Sequence, residues 1–157
     1  MNNKNLIPEE VDKNPEVKIN IDAAKENGIF DDDEEYVLFI LVNDDLKMDL
    51  NKLIKFCCNS ICEVVKVNEN LKCKSENYVN WSKTGEKITI FKAKEEDLLY
   101  CVNKYSDPNK EIWCQNILGL GNSEISPFSM TTVAFTPILR KNTPDFMGKL
   151  KELKNLL

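Results

Sequence analysis

Lys52, Ser123 and Glu124 are each an ordinary surface side chain taken alone, and they bear on chemistry only as a group. A lysine can donate to a developing oxyanion, a hydroxyl can orient water, and a carboxylate can accept a proton. They act together only if the loop carrying Ser123 and Glu124 lies beside the start of the helix that carries Lys52, an arrangement α/β folds favour. The chain has no histidine. That removes imidazole bases, Ser–His and Cys–His couples, and His-ligated metals. Six cysteines stand at positions 57, 58, 62, 73, 101 and 114 without one C-x-x-C pair, so neither a metal nor another cofactor is expected. Cys57 and Cys58 read as two small core residues. The alternative is a reactive thiol with Lys55 as the nearby cation. GLG at 119–121 lacks the spacing of a dinucleotide-binding turn, and no P-loop is present.

The elements that must hold these residues follow from periodicity. YVLFILVN (36–43) is an unbroken apolar run of strand length, suited to a central strand covered on both faces. From Leu50 to Val67 the period changes. Leu50, Leu53, Ile54, Cys57, Cys58, Ile61, Val64 and Val65 predict the buried face of a helix, with Asp49 as N-cap. Lys52, Lys55, Asn59, Glu63 and Lys66 mark its polar side, and Lys52 and Asn59 lie two turns apart on nearly one stripe. A short helix is predicted near 76–82, a strand at 87–93, a helix at 94–105, and strands at 112–118 and 130–137. Thr143 and Pro144 are read as N-cap and first residue of a closing helix. Its predicted buried face is Phe146, Met147, Leu150, Leu153, Leu156 and Leu157. This order predicts an α/β fold, a three-layer α/β/α sandwich around a four-stranded mixed sheet.

Charge divides the chain. Residues 1–35 hold eleven acids and four lysines, a net of −7, whereas residues 36–157 carry fifteen acids and seventeen bases, a net of +2. The first segment reads as an acidic, disordered tail (1–35) and the second as the folded domain (36–157). No signal peptide and no apolar run near the ~20 residues of a membrane span are read, so the expected location is cytoplasmic with no membrane partner.

VLFILVNDDLKMDLNKLIKFCCNSI resembles the opening strand, loop and helix of the type 2 peptidyl-tRNA hydrolases, whose pattern is R-x-D-L-x-M-x-x-G-K-x-x-A-Q-x-x-H-A. Asp45, Leu46, Met48 and Lys52 stand at the motif Asp, Leu, Met and Lys. WSKTGEKITIFKAKEEDLLYCVNKY is similar to the family's W-x-x-x-G-x-K strand and following helix. GLGNSEISPFSMTTVAFTP is similar to D-A-G-x-T-x-h-x-x-G-T-x-T-hydrophobic-G-P, and TPDFMGKLKELKNLL resembles its closing segment. Four motifs fall in the family's order across residues 36–157.

The departures bear on function. The motif glycine is Asn51, the glutamine Phe56 and the histidine Asn59. The catalytic-loop aspartate falls on Gly119, Gly121 is kept, and the threonine becomes Ser123. Phe128 replaces the next glycine, and Ser129 and Thr131 stand at the two threonines. The resemblance therefore implies the fold, with Lys52, Ser123, Ser129 and Thr131 as remaining catalytic groups and Glu124 as a stand-in base. A missing general base typically costs ~10²–10⁴-fold. The reading is a divergent member with lost or much reduced ester hydrolysis that keeps RNA or protein binding. The alternative is an active hydrolase using Lys52 and the loop hydroxyls. The expected partner is tRNA or peptidyl-tRNA, contacted by Lys47, Lys55, Arg140, Lys141 and Lys149; a protein partner and a homodimer stay open.

Overall fold

The computed structural model describes residues 35–119 and 125–153. Strand β1 (Tyr36–Asn43) is followed by a 3₁₀ turn, helix α1 (Leu50–Asn70), helix α2 (Glu76–Lys83) and strand β2 (Ile88–Ala93). Helix α3 (Glu95–Tyr105), β3 (Cys114–Leu118), β4 (Met130–Phe135), β5 (Ile138–Leu139) and β6 (Lys151–Glu152) complete the described elements. Strand order in the sheet is β3-β4-β1-β2-β6, and β5 pairs with the start of β1. β1 and β2 run parallel; the other pairings are antiparallel. The sheet is mixed, as expected, but among the described residues it has six strands where the sequence predicts four. β5 and β6 hold two residues each, too few to leave a periodic signal in sequence.

The sheet separates two apolar layers because side chains alternate along β1. Leu38, Ile40 and Val42 pack with Leu53, Cys57 and Val64 of α1, Tyr78 and Trp81 of α2, and Trp113. Val37, Phe39 and Leu41 face Leu98 and Cys101 of α3 and Met147. From Val37 to Asn43 every β1 residue is buried, which is why the run carries no polar alternation.

The closing helix is a correction. Thr143 donates its hydroxyl back to the Arg140 carbonyl at 2.7 Å, Pro144 is extended, and only a 3₁₀ turn forms at Asp145–Lys149. The chain then straightens at Leu150 and β6 joins the outer edge of β2, with Leu153 N–H on the Ile90 carbonyl at 2.8 Å. Gly148 lowers helix propensity, and the open β2 edge supplies backbone partners that a helix would forgo. Met147 is buried as expected; residues 154–157, with Leu156 and Leu157, lie outside the described residues, as does the 1–35 tail up to residue 34.

The buried stripe of α1 is also shifted. Leu53, Phe56, Cys57, Ser60, Val64 and Asn68 face inward, whereas Leu50 and Ile54 are about half exposed. Cys58 is exposed, so only one of the adjacent cysteines is a core residue. Ser60 is tolerated inside because its hydroxyl meets the Phe56 carbonyl at 2.9 Å and Thr132 Oγ1 at 2.6 Å.

Candidate functional site

Three chain segments meet at the carboxyl end of β1. Asn43 ends the strand, and its side chain donates to the Met130 carbonyl at the start of β4, 2.8 Å away, while Asn43 Oδ1 accepts from Asp45 N–H at 3.0 Å. Asp45 Oδ2 in turn accepts the Glu95 N–H at 3.0 Å, satisfying a free donor at the start of α3. Asp44 pairs with Lys92 at 2.8 Å. The motif aspartate therefore ties the loop after β1 to the loop after β2. A cavity of about 250 Å³ opens there, lined by Asn43, Asp44, Lys47, Met48, Leu53 and Lys92 among others.

Helix α1 begins at this end. Asp49 is its N-cap: Oδ1 accepts the Lys52 N–H at 3.0 Å, and Oδ2 lies 3.3 Å from Lys52 Nζ. These hydrogen bonds, led by the one from the Lys52 backbone, hold the Asp49 carboxyl below its ordinary value. Ser60 fixes the helix over Thr132. Lys52 lies eight residues nearer the N-terminus, about 12 Å along the axis. β4 starts two residues before Thr132, about 7 Å. Lys52 therefore lies toward the end of the sheet at which β4 begins and β1 ends. Leu50 and Ile54 are exposed although Leu53 between them is buried against β1, so it is the face they occupy on the helix that leaves them outside.

That loop closes tightly at its base. Gly119 N–H donates to the Ser129 carbonyl at 2.8 Å, and Phe128 N–H donates to the Gly119 carbonyl at 2.9 Å. Gly119 is buried. A Cβ there would stand 2.8 Å from Ile125 Cγ2. The space beside position 119 is filled by a methyl group of a β-branched residue, which has little rotamer freedom to give way.

Next to it, β4 carries a bulge. Ile117 pairs with Thr132 and Leu118 with Met130, leaving Thr131 as the extra residue. Thr131 is fully buried, and its hydroxyl donates to the Ile117 carbonyl at 2.9 Å.

The structure thus brings Gly119, Ser129 and Thr131 together and places the Lys52 end of α1 at the same edge of the sheet. Asn59, at the motif histidine, is exposed on α1 next to Ser60. Ser123 and Glu124 lie outside the described residues. The cations divide. Lys47 and Lys55 are exposed at the Lys52 end. Arg140 and Lys141 follow β5, which pairs with Tyr36 at the opposite end of β1, about 23 Å away. Arg140 there bonds Glu35, 2.8 Å from Nε and 2.7 Å from Nη2. Lys149 sits on the 3₁₀ turn beside Met147, on the α3 side of the sheet. Burial and the adjacent Cys58 push the Cys57 thiol up to about 11, against a nucleophilic role. Among the described residues no three His, Cys, Asp or Glu side chains gather as a metal would need, and no helix is long and apolar enough to cross a membrane.

A loop-lined cleft at the carboxyl ends of parallel strands, beside a helix start, defines the usual ligand position of an α/β protein. The model of the family Peptidyl-tRNA hydrolase PTH2 matches residues 36–153, well over half of the 157-residue chain. The chain belongs to that family, and its function is peptidyl-tRNA hydrolase-like. The comparison with curated proteins returns no match.

The sequence predicts Asp49 only as a cap and not its contact with the Lys52 ammonium. An acid three residues before a lysine in the first turn was the available signal.

Proposed function

We propose that this domain is a divergent peptidyl-tRNA hydrolase that keeps tRNA binding and has lost most or all ester hydrolysis. The observation that carries the reading is position 119. The family resemblance asks there for a carboxylate, and this chain has a glycine whose missing side chain is replaced in space by the Ile125 methyl 2.8 Å from the would-be Cβ. Water attack on an ester needs a proton acceptor and donors for the oxyanion. Lys52 supplies a donor in this reading, Ser123 and Ser129 orient, and Thr131 holds the strand bulge with its hydroxyl committed to Ile117. Asn59 is no base near neutral pH. The cations that suit this end are Lys47, Lys52 and Lys55. Arg140, Lys141 and Lys149 serve a ligand only if it wraps the domain. On this reading the protein works in the cytoplasm.

One observation favours the active alternative. Asp49 puts a carboxylate 3.3 Å from Lys52 Nζ, so a carboxylate–lysine pair exists at this end although position 119 has none. Its lowered pKa makes it a weak proton acceptor, and with Glu124 it is the base that reading requires.

The test is a hydrolysis assay on peptidyl-tRNA, with Lys52→Ala as control, beside a binding titration with deacylated tRNA. Binding that weakens steeply with salt, and turnover at least ~10²-fold below that of a family enzyme carrying the motif carboxylate and histidine, is expected. Turnover equal to such an enzyme and abolished by Lys52→Ala would establish the active alternative.

A further inference from the structure

We infer that Phe128 is a stacking platform for the unpaired terminal base of an RNA acceptor end. Among the described residues Phe128 is the most exposed large apolar side chain, at 82%. It also has φ 66°, in the left-handed region that residues other than glycine rarely adopt. Folding gains nothing from either feature: the ring covers no core, and the backbone conformation works against an L residue. Both sit at the base of the β3–β4 loop. The Phe128 N–H is bonded to the Gly119 carbonyl, and the next residue, Ser129, accepts from Gly119 N–H. The ring is therefore rooted one residue from the groups proposed to surround the ester.

Its setting selects the ligand. A small apolar ligand or peptide side chain is held by concave walls, whereas the Phe128 ring is 82% exposed. A flat ring open on its faces suits a flat base, and stacking of this kind is tolerant of sequence. Lys47 and Lys55, exposed at the same end, suit the phosphates. In peptidyl-tRNA the ester is carried by the ribose of the last nucleotide, so base and ester are one sugar apart. A base on Phe128 would hold the ester within one sugar of the base of the β3–β4 loop, beside Ser129. The inference rests on the tRNA reading above.

The experiment measures fluorescence anisotropy of the full chain with a labelled single-stranded oligoribonucleotide ending in CCA, at fixed low salt, alongside thermal melts. Phe128→Gly is expected to weaken binding roughly tenfold, a typical loss for one stacked base. The same change is expected to leave the melting temperature unchanged or raise it, since glycine accepts the positive φ. Phe128→Trp is expected to bind at least as tightly as wild type, with its indole emission altered by the oligonucleotide. Wild-type binding undiminished in Phe128→Gly overturns the inference and leaves the tRNA reading standing. No wild-type binding to either the oligonucleotide or deacylated tRNA removes that reading and the inference with it. A Phe128→Trp emission change produced by an N-acetylated apolar peptide and not by the oligonucleotide also overturns it.

Discussion

Gly119 and Asn59 differ from the family pattern for reasons that act separately. Asn59 is exposed on α1, so a histidine placed there meets no steric obstacle on its own helix face. Gly119 is buried, and Gly119→Asp drives its Cβ into Ile125. Overpacking of this kind costs about 1–3 kcal/mol. Gly119→Asp is therefore expected to lower stability in urea unfolding by about that amount. Adding Ile125→Ala is expected to cost less than the two single changes summed, because the cavity of one receives the side chain of the other. The triple change Gly119→Asp, Asn59→His and Ile125→Ala is expected to raise peptidyl-tRNA hydrolysis more than the Gly119→Asp and Asn59→His pair alone, as measured by single-turnover release of peptide. Groups that act as a unit are strongly non-additive, so Lys52→Ala should erase the gain.

Helix α1 is the element whose placement the site depends on, and the Ser60–Thr132 bond is what registers it on β4. Both hydroxyls are buried. Ser60→Ala leaves the Thr132 hydroxyl without this partner, and about 1–3 kcal/mol of destabilisation is expected. Ser60→Ala with Thr132→Val removes both partners, keeps the shape and should cost less than the two single changes added together, by chemical denaturation. A cycle in which the losses simply add would mean that the bond does not hold the helix. α3 is registered differently, through Asp45 of the loop after β1, so that loop is shared by the starts of α1 and α3.

At the scale of the molecule, the β1 end far from the site is closed by Glu35 between Lys87 and Arg140. Burial raises the Glu35 pKa, but hydrogen bonds and charge from Lys87 and Arg140 outweigh it and hold the carboxyl below its ordinary 4.5. A lowered folded-state value stabilises above the unfolded pKa and is lost as pH falls through the folded one. Glu35→Gln should therefore lose about 1 kcal/mol or less at pH 7, with the difference from wild type vanishing in melts taken well below pH 4.5. The charge division between residues 1–35 and the remainder carries a separate expectation. A nonspecific protease should remove residues 1 to about 30 while the rest resists, read by intact mass. Protection of that segment equal to β1 would show that it packs on the domain.

Periodicity and composition alone determined the central strand, the three described helices and β2 to β4: the helices carry a repeat near 3.6 residues, β2 alternates, and β1 is a continuous apolar run of strand length. The resemblance of four motifs, in the family's order, pointed separately to the family and to the missing carboxylate at Gly119. Only the tertiary structure decided the ends. The segment after Thr143 became a 3₁₀ turn and an edge strand because β2 offered unpaired backbone groups, which no local pattern encodes. Leu50 and Ile54 became exposed because α1 turns the face of Leu53, Phe56, Cys57 and Ser60 to the sheet, and the cations parted because β5 and the first turn of α1 lie at opposite ends of β1. Thr131 gave its hydroxyl to Ile117 because a bulge turned it there, and Asp49 reached Lys52 because one helical turn separates them. A residue's type is local, but what its side chain meets depends on which distant segment arrives beside it.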